Sequence, residues 1–138
     1  HRAGQCAEVL FGREFAAFDL TPRQYAVLLA AEQHEGATQT EIVTMTGIDR
    51  STLADLVRRL VVKGLLQRRR SRLDARAYNV RVSDAGRKLL RSTGEIASRV
   101  DAQLMAAVPS GDRARLLDLL ETLVRKFDAG SESGGKAG

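Results

Sequence analysis

The sequence predicts a mainly α-helical fold with one small β-hairpin, and two observations lead to this prediction. Capping residues, a proline and several glycines divide the chain into helical segments, two of which are short and meet at a turn that contains Gly47. Directly after them, residues 65–82 read as two short strands on either side of an arginine-rich turn. A helix-turn-helix followed by a β-hairpin is a winged helix-turn-helix, here with further helices at both ends of the chain.

Four of the helices begin at residues that favour the N-cap position. The predicted N-caps are Thr21, Thr38, Asp49 and Ser83. Gln or Glu stands three residues after Thr21 and Thr38, which completes a capping box at both. The helices are expected at residues 2–18, 22–33, 39–46, 50–63, 83–107 and 112–127, and the strands at residues 65–70 and 77–82 with a hairpin tip at 71–76.

The composition limits the classes of protein that fit. A chain of 138 residues with 43% hydrophobic residues can form one domain with its own core. Aromatic residues make up only 4%, which argues against a stacking platform for single-stranded nucleic acid. No apolar run approaches the length of a membrane span and no signal-peptide pattern opens the chain, so we expect a cytoplasmic protein without a membrane partner.

Catalytic and metal-binding residues are not predicted. The single cysteine, Cys6, cannot form a disulfide within the chain, and neither His1 nor His34 lies near it in sequence. A nucleophile with its base, a pair of carboxylates in a pocket or a glycine-rich phosphate loop would indicate an enzyme, and the sequence offers none of these patterns. We therefore expect no cofactor.

Basic charge is concentrated in residues 50–91. This segment holds thirteen Lys and Arg and three acidic residues, whereas the rest of the chain holds nine and fourteen; the whole chain has a net charge of +5. Charge concentrated in this way opposes folding unless a polyanion uses it, and duplex DNA is the commonest such partner. The segment coincides with the predicted second helix of the helix-turn-helix and the wing, which indicates DNA binding.

The helix expected at residues 50–63 has two distinct faces. Its core face carries Leu53, Leu56, Val57 and Leu60, and its outward face carries Ser51, Asp55, Arg58 and Arg59 with Thr52 at the edge. The short hydroxyl side chains can approach base edges or phosphates closely, and the arginines, with Arg50, reach guanine or phosphate. Asp55 either accepts from a cytosine amino group or orients Arg58 or Arg59 by an ion pair. The competing interpretation is an ordinary solvated surface helix.

The hairpin is predicted to form a basic wing. Arginines stand at 68, 69, 70 and 72, before Asp74, and Arg76 follows two residues later. Such a wing can place arginine in the minor groove while Asp74 holds the wing or Arg76 in position; the alternative is an exposed loop whose charges serve solubility. The predicted DNA contacts are Thr38, Gln39, Thr40, Arg50, Ser51, Thr52, Asp55, Arg58, Arg59, Arg70, Arg72, Asp74 and Arg76.

The helix expected at residues 112–127 has a broader apolar surface than one packing contact requires. Part of this surface is therefore expected to meet another subunit. The predicted dimer interface consists of Leu116, Leu120, Leu123, Val124 and Phe127. The Gly- and Ser-rich residues 130–138 are expected to form a disordered tail.

An ordered set of short motifs now resembles a known family. In chain order these are Leu20 to Pro22, Gln24-Tyr25, Thr38 to Glu41, Asp49 to Thr52, Val57 to Leu60, Lys63 to Leu65, Asp74 with Arg76, and Asp84 to Gly86. Together they resemble the MarR family of bacterial winged helix-turn-helix regulators across nearly the whole chain. Two departures are Ala75, where the family often has Arg or Lys, and Asp55, where it frequently has Thr or a basic residue.

The resemblance implies an obligate homodimer that represses transcription reversibly in the bacterial cytoplasm, in association with the nucleoid. It implies binding to an inverted-repeat operator in double-stranded DNA. The implied organisation is a single domain over residues 1–130, with dimerisation helices at 1–18 and 108–128, a winged helix-turn-helix at 20–82, a connecting helix at 83–107 and a tail at 130–138.

The resemblance also implies a small-molecule effector, because many members respond to aromatic carboxylates or their CoA thioesters. The predicted ligand-binding residues are Arg2, Cys6, Phe11, Phe15, Phe18, Tyr25 and Leu28. The apolar residues among them are equally explained as core.

Two alternatives remain open. One branch of the family senses organic peroxides through a cysteine in the first helix, but here that position falls on Ala7, one residue after Cys6, and we expect a buried and inert Cys6 instead. The second alternative is an architectural winged-helix protein that binds DNA without responding to a ligand.

Overall fold

The computed structural model describes residues 1–71 and 77–133. Within these ranges it contains six α-helices and one two-stranded sheet. The helices are α1 (Arg2–Glu14), α2 (Pro22–Gln33), α3 (Gln39–Thr46), α4 (Arg50–Val62), α5 (Asp84–Ala106) and α6 (Arg113–Ser133), and the strands are β1 (Leu66–Arg70) and β2 (Tyr78–Val82). Short 3-10 turns cover Ala16–Phe18 and Ser110–Asp112. The predicted fold class, mainly helical with a small hairpin, is confirmed.

Helices α2 and α3 have the predicted bounds, and they begin at the predicted residues because their capping boxes form. The Thr21 hydroxyl accepts from the Gln24 backbone N–H at 3.2 Å, and the Gln24 side chain accepts from the Thr21 N–H at 3.1 Å. Thr38 and Glu41 make the same reciprocal pair at the start of α3. Each pair satisfies two backbone donors that a helix start otherwise leaves unpaired.

Helix α1 ends four residues before its predicted end at Phe18. After Glu14 the chain tightens into the 3-10 turn and then reverses at Asp19, whose φ of 49° lies in the left-handed region. The Lys63 ammonium holds this reversal, since it contacts the Asp19 carboxylate at 2.7 Å and also bonds its carbonyl oxygen. The apolar pattern of residues 15–18 continues into the turn, so it did not reveal where the helix stops.

Helix α6 corrects the prediction of a helix end at residue 127 and of a disordered tail from residue 130. It continues to Ser133 and passes through Gly130. A glycine inside a helix costs only about 1 kcal/mol relative to alanine, so one glycine does not end a helix. Residues 134–138 of the predicted tail lie outside the described residues.

The core lies where α2, α3, α4 and the hairpin meet. Val27, Leu28, Ile42 and Val80 are almost completely inaccessible to solvent. Three of the four residues on the predicted core face of α4 are buried in the same way, and Leu56 is half-buried. This packing fixes the orientation of α4 and leaves its opposite face outward.

The start of α5 is joined tightly to the base of the hairpin. The predicted cap Ser83 accepts from the Gly86 backbone N–H at 3.0 Å and donates to the Gly64 carbonyl at 2.6 Å. Gly86 lies directly against the Leu65 carbonyl oxygen and the Val82 side chain, which leaves no room for a Cβ. A glycine at this position therefore permits the close approach of α5 and the sheet.

The chain forms two compact units, one over residues 1–100 and a second that begins at Asp101. The prediction of a single domain with terminal dimerisation helices is not tested by this division and stays a prediction. Among the residues that the structure describes, no helix combines the length and apolar character that a membrane span requires.

Candidate nucleic-acid interface

The turn between α3 and α4 sets the start of α4. Gly47 adopts a φ of 66°, in the left-handed region that favours glycine, and its N–H donates to the Val43 carbonyl at 2.9 Å. Asp49 then caps α4: its Oδ1 accepts from the Thr52 N–H at 2.9 Å and from the Ser51 hydroxyl at 2.7 Å. Hydrogen bonds from Thr52, followed by those from Ser51, hold the pKa of the Asp49 carboxyl far below its usual range.

The outward face of α4 carries the predicted DNA-contacting residues. Arg50, Ser51, Arg58 and Arg59 are exposed, and Thr52 and Asp55 are half-buried. The structure therefore brings these six predicted residues together on one side of one helix. Their order places the short hydroxyl side chains in the first turn and two of the arginines in the third.

Asp55 lies between these two groups and holds both arginines of the third turn. Its Oδ1 is 2.7 Å from Nη2 of Arg58, and its Oδ2 is 2.7 Å from Nε of Arg59. The hydrogen bond from Arg58 is the main reason why the pKa of Asp55 lies below its ordinary value. Of the two roles predicted for Asp55, the orientation of an arginine by an ion pair is present, and it involves both arginines.

The first turn of α3 places three further predicted residues near α4. The Thr38 side chain takes part in the capping box and donates to Glu41. The hydrogen bond from the Thr38 backbone N–H, and after it the one from the Thr38 hydroxyl, lower the pKa of Glu41. Thr40 is exposed, and it lines a crevice of about 150 Å³ together with Gln39 and Arg50. The Gln39 Oε1 atom is buried without a hydrogen-bond partner. Thr40 and Arg50 are thus the members of this group whose side chains face outward.

The hairpin contains a contact that sequence reasoning missed. Tyr78 pairs with Arg70 across the sheet, and the guanidinium of Arg68 lies over the Tyr78 ring at 3.8 Å from the ring centre, while that of Arg70 is at 6.0 Å. This cation–π contact positions Arg68 on the wing. The pattern of alternation showed a strand at Tyr78, but the contact depends on strand register, which the sequence alone leaves undetermined.

The base of the wing is bonded to the start of α3. Asn79 forms an isolated antiparallel bridge with Thr38, and the Val80 N–H donates to the Ala37 carbonyl at 2.9 Å. Asn79, which the sequence did not single out, therefore couples the wing to the helix-turn-helix. The predicted wing residues Arg72, Asp74 and Arg76 lie outside the described residues, as does Ala75.

The predicted ligand-binding residues fall into two groups, an aromatic cluster between α1 and α2 and a groove on α1. Phe11 and Phe15 stack at a centroid distance of 3.9 Å, and Tyr25 packs against both rings, with Phe18 at the edge of the cluster. Phe15 is completely buried, and so is Leu28. These contacts show the aromatic residues packing α1 against α2, which is the core role that the sequence left open.

The second group lies in a groove on α1. Arg2 and Cys6 line this groove of about 340 Å³ together with Gln5, Val9, Leu10 and Arg13. Cys6 is exposed in this chain, so the expectation of a buried cysteine is wrong. The reason is its position on α1: the face that packs on α2 is the one with Phe11 and Phe15, and Cys6 lies on another face.

Helix α6 presents an apolar surface to solvent. Leu120, Leu123, Val124 and Phe127 are between 51% and 74% exposed, and Leu116 is half-buried. Leu117 and Leu119 extend the same exposed surface. The predicted interface residues are thus uncovered within one chain.

Comparison with known proteins identifies transcriptional regulators that are similar to this chain in sequence. Residues 18–77 match a model described as the MarR family. The transcriptional regulator HosA of Escherichia coli O111:H- is 31% identical over 109 residues, which cover 79% of this chain and 78% of HosA. Across the curated relatives that it matches, the chain spans 59% to 78% of their lengths.

Solved structures agree with this similarity. PcaV, a transcriptional regulator from Streptomyces coelicolor solved in complex with its natural ligand, is 30% identical and superposes with a TM-score of 0.83 over 90% of this chain and 87% of PcaV. The transcriptional repressor CouR, solved bound to a 23-mer DNA duplex, is 32% identical with a TM-score of 0.80 over 88% of this chain and 87% of CouR.

Proposed function

Because the chain belongs to the MarR family of winged helix-turn-helix transcriptional regulators, we propose that it binds an inverted-repeat operator as a homodimer and represses transcription. The observation that carries this proposal is the outward face of α4, where hydroxyl side chains at the helix start and arginines in the third turn face solvent together. A recognition helix contacts base edges through its N-terminal residues. The proposal places the protein in the bacterial cytoplasm, at the nucleoid.

In the proposed complex α4 lies in the major groove. Ser51 and Thr52 approach base edges, Arg58 and Arg59 reach guanine or phosphate, and Thr40 contacts the DNA backbone from the start of α3. The wing, of which Arg70 is a described residue, lies along the adjacent minor groove. CouR, a relative with 32% identity, has been solved on a DNA duplex, which supports binding of this chain to duplex DNA.

The homodimer rests on the apolar surface of α6. A surface with five large side chains more than half exposed is a typical subunit interface, because a monomer rarely leaves such a surface in water. A two-fold dimer presents two copies of α4 at a fixed distance, and it would therefore favour an operator with two-fold symmetry.

The proposed effector is a small molecule, of which an aromatic carboxylate or its CoA thioester is the first class to test. PcaV, which is 30% identical to this chain, has been solved with its natural ligand, and this supports ligand control here. The groove that contains Arg2 and Arg13 offers cationic side chains beside apolar Val9 and Leu10, a combination suited to an anion with an apolar body. A ligand releases DNA when it binds the DNA-incompetent conformation better than the competent one.

A second candidate mechanism is peroxide sensing through Cys6, which its exposure favours. A thiol must be accessible to be oxidised, and the exposed Cys6 meets that requirement. The test compares DNA binding of the wild type and Cys6→Ser before and after treatment with an organic hydroperoxide. Release that persists in Cys6→Ser would exclude the cysteine as the sensor.

In vitro selection from random duplexes, with rising salt concentration between rounds, tests the proposed function. A sequence-specific dimer enriches an inverted repeat whose half-site centres lie about 10 bp apart. An architectural DNA-binding protein would enrich AT-rich sequence or nothing, and would bind all duplexes with similar affinity and a steep salt dependence. That second result would contradict the proposal.

A further inference from the structure

Asp55 is the only acidic residue within α4, and it holds two of the helix's arginines at once. The carboxylate oxygens contact Nη2 of Arg58 and Nε of Arg59, each at 2.7 Å. Both arginines remain largely accessible, with 68% and 61% of their side-chain surface exposed. The two arginines therefore lie at the surface with Asp55, where a duplex can reach them.

The position of Asp55 places this ion-pair cluster beside the residues proposed to contact bases. Residues three and four apart lie on the same side of a helix, so Asp55 follows directly behind Thr52 and Ser51. A duplex that approaches the first turn of α4 consequently meets the carboxylate and both guanidinium groups.

The cluster lowers the net charge of this face without removing the arginines' hydrogen-bond donors. One carboxylate reduces the two guanidinium charges to a net charge of +1. Arg59 uses Nε for the bond, which leaves its two Nη nitrogens as donors with the spacing that guanine O6 and N7 accept. A phosphate offers the arginines a negative charge, which Asp55 already supplies. Its approach also brings the negative phosphate close to the negative Asp55 carboxylate.

We propose that Asp55 is a specificity-determining residue, which lowers affinity for non-specific duplex DNA more than affinity for the operator by pairing with Arg58 and Arg59. The inference rests on the proposed function, in which α4 enters the major groove. On the operator, hydrogen bonds to base edges compensate for the reduced charge. Other sequences offer mainly phosphates, so there the reduced charge is not compensated.

The test compares Asp55→Asn with the wild type on two probes, which are a pool of random 30-bp duplexes and the pool that the wild-type protein enriches from it. Asp55→Asn should bind the random pool about tenfold more tightly at 0.1 M salt for each additional phosphate that the variant neutralises. The slope of the logarithm of its binding constant against the logarithm of the salt concentration should be steeper by about 0.9 for each such phosphate. Affinity for the enriched pool should change less, so the ratio of the two affinities falls.

Three control variants isolate the ion-pair cluster. Asp101→Asn makes the same change of net charge on α5 and should leave the ratio unchanged. Asp55→Glu keeps the charge and the reach to both arginines and should remain close to the wild type. In an Arg58→Gln/Arg59→Gln background, the effect of Asp55→Asn on the random pool should be smaller than in the wild type, because only the direct repulsion between the carboxylate and phosphate is left to remove. Circular dichroism checks that each variant keeps its helix content, and Asp55→Ser replaces Asp55→Asn if the latter unfolds.

Two results would overturn the inference. Asp55→Asn and Asp101→Asn could bind the random pool equally, in which case the cluster does not limit non-specific binding. Alternatively, Asp55→Asn could change only the preference for one base pair in the enriched pool, in which case Asp55 reads a base directly. Failure of the proposed function has a different outcome, because the wild type itself would then bind both pools with equal affinity.

Discussion

At the scale of single residues, hydrogen bonds to Asp49 hold Ser51 and Thr52 in place in the DNA-free protein. The Ser51 hydroxyl donates its proton to Asp49, so its oxygen lone pairs are what it offers to a partner. A hydroxyl oxygen accepts from the amino group of cytosine or adenine in the major groove, whereas it cannot donate to a phosphate while its proton is held. We therefore expect Ser51 to contribute to base preference more than to the salt dependence of binding.

The Asp49 cap predicts a specific dependence of stability on pH. Because hydrogen bonds from Thr52 and Ser51 lower the pKa of Asp49 in the folded protein, the cap stabilises the fold at pH values above the unfolded pKa of about 3.9 and is lost as the pH falls further. Asn at this position caps equally well and does not titrate. Between pH 4 and pH 2, the free energy of unfolding of Asp49→Asn should thus fall less steeply than that of the wild type, as measured by urea denaturation.

Asp49→Ala provides the control at pH 7, where it should be less stable than Asp49→Asn because it has no capping oxygen. Glu41 and Asp55 also have lowered pKa values and contribute to the acid sensitivity of both proteins, so only the difference between the two slopes reports on Asp49. Equal slopes in the wild type and Asp49→Asn would contradict the assignment.

At the scale of elements, the sequence predicted best where a local interaction sets a boundary. The capping boxes at Thr21 and Thr38 fix the starts of α2 and α3 through contacts between residues only three apart in sequence. Both helices have the predicted bounds. The chain reversal after α1 includes a contact between Asp19 and Lys63, which lie 44 residues apart, and no local pattern encodes that contact. The continuation of α6 through Gly130 likewise shows that a single unfavourable residue does not decide a helix end.

In the candidate site too, features set by local interactions were predictable from the sequence, and contacts between separate elements were not. Helical periodicity predicted the outward face of α4 and gave an ion pair with Arg58 or Arg59 as one of two roles for Asp55, because those residues are neighbours on one helix. The Arg68–Tyr78 contact and the bridge between Asn79 and Thr38 join separate elements, so they required the structure. Burial of Phe15 against α2 is also a tertiary property, and the sequence could not separate it from a ligand-binding role.

The junction of α5 with the hairpin predicts an unusual pair of glycine substitutions. Gly86→Ala should destabilise the protein by about 1–3 kcal/mol, because the new Cβ would overlap the Leu65 carbonyl oxygen and approach Val82 Cγ1 to 2.7 Å. In Gly94→Ala, in the same helix, the new Cβ has no neighbour within 4 Å among the described residues apart from the adjoining helix backbone, so this substitution should instead stabilise the protein by up to about 1 kcal/mol through helix propensity. Thermal or urea denaturation measures both; stabilisation by Gly86→Ala would refute the close approach.

At the scale of the whole molecule, charge and apolar surface are separated along the chain. The basic segment at residues 50–91 carries α4 and the wing, and six of the eleven large apolar side chains found exposed among the described residues lie on α6 in the second compact unit. This separation suits a protein that uses one part for DNA and another for self-association.

Self-association can be tested by substitution on α6. Leu120→Asp/Leu123→Asp should convert a dimer into a monomer in analytical ultracentrifugation, because burial of two carboxylates in an apolar interface is highly unfavourable. Thr122→Asp, an exposed position between them in sequence but on another side of the helix, should remain dimeric. A dimer that survives the double substitution would place the interface elsewhere.

The central claim is that two copies of α4 read two half-sites of one operator. Fluorescence anisotropy should compare the enriched inverted repeat with the same duplex after one half-site is scrambled, and with a duplex in which about 5 bp, half a helical turn, separate the half-sites further. A dimer that reads both half-sites from one side of the duplex should lose at least about 100-fold in affinity with either change, since half of the specific contacts are lost or rotated away. Equal affinity for all three duplexes would contradict the account.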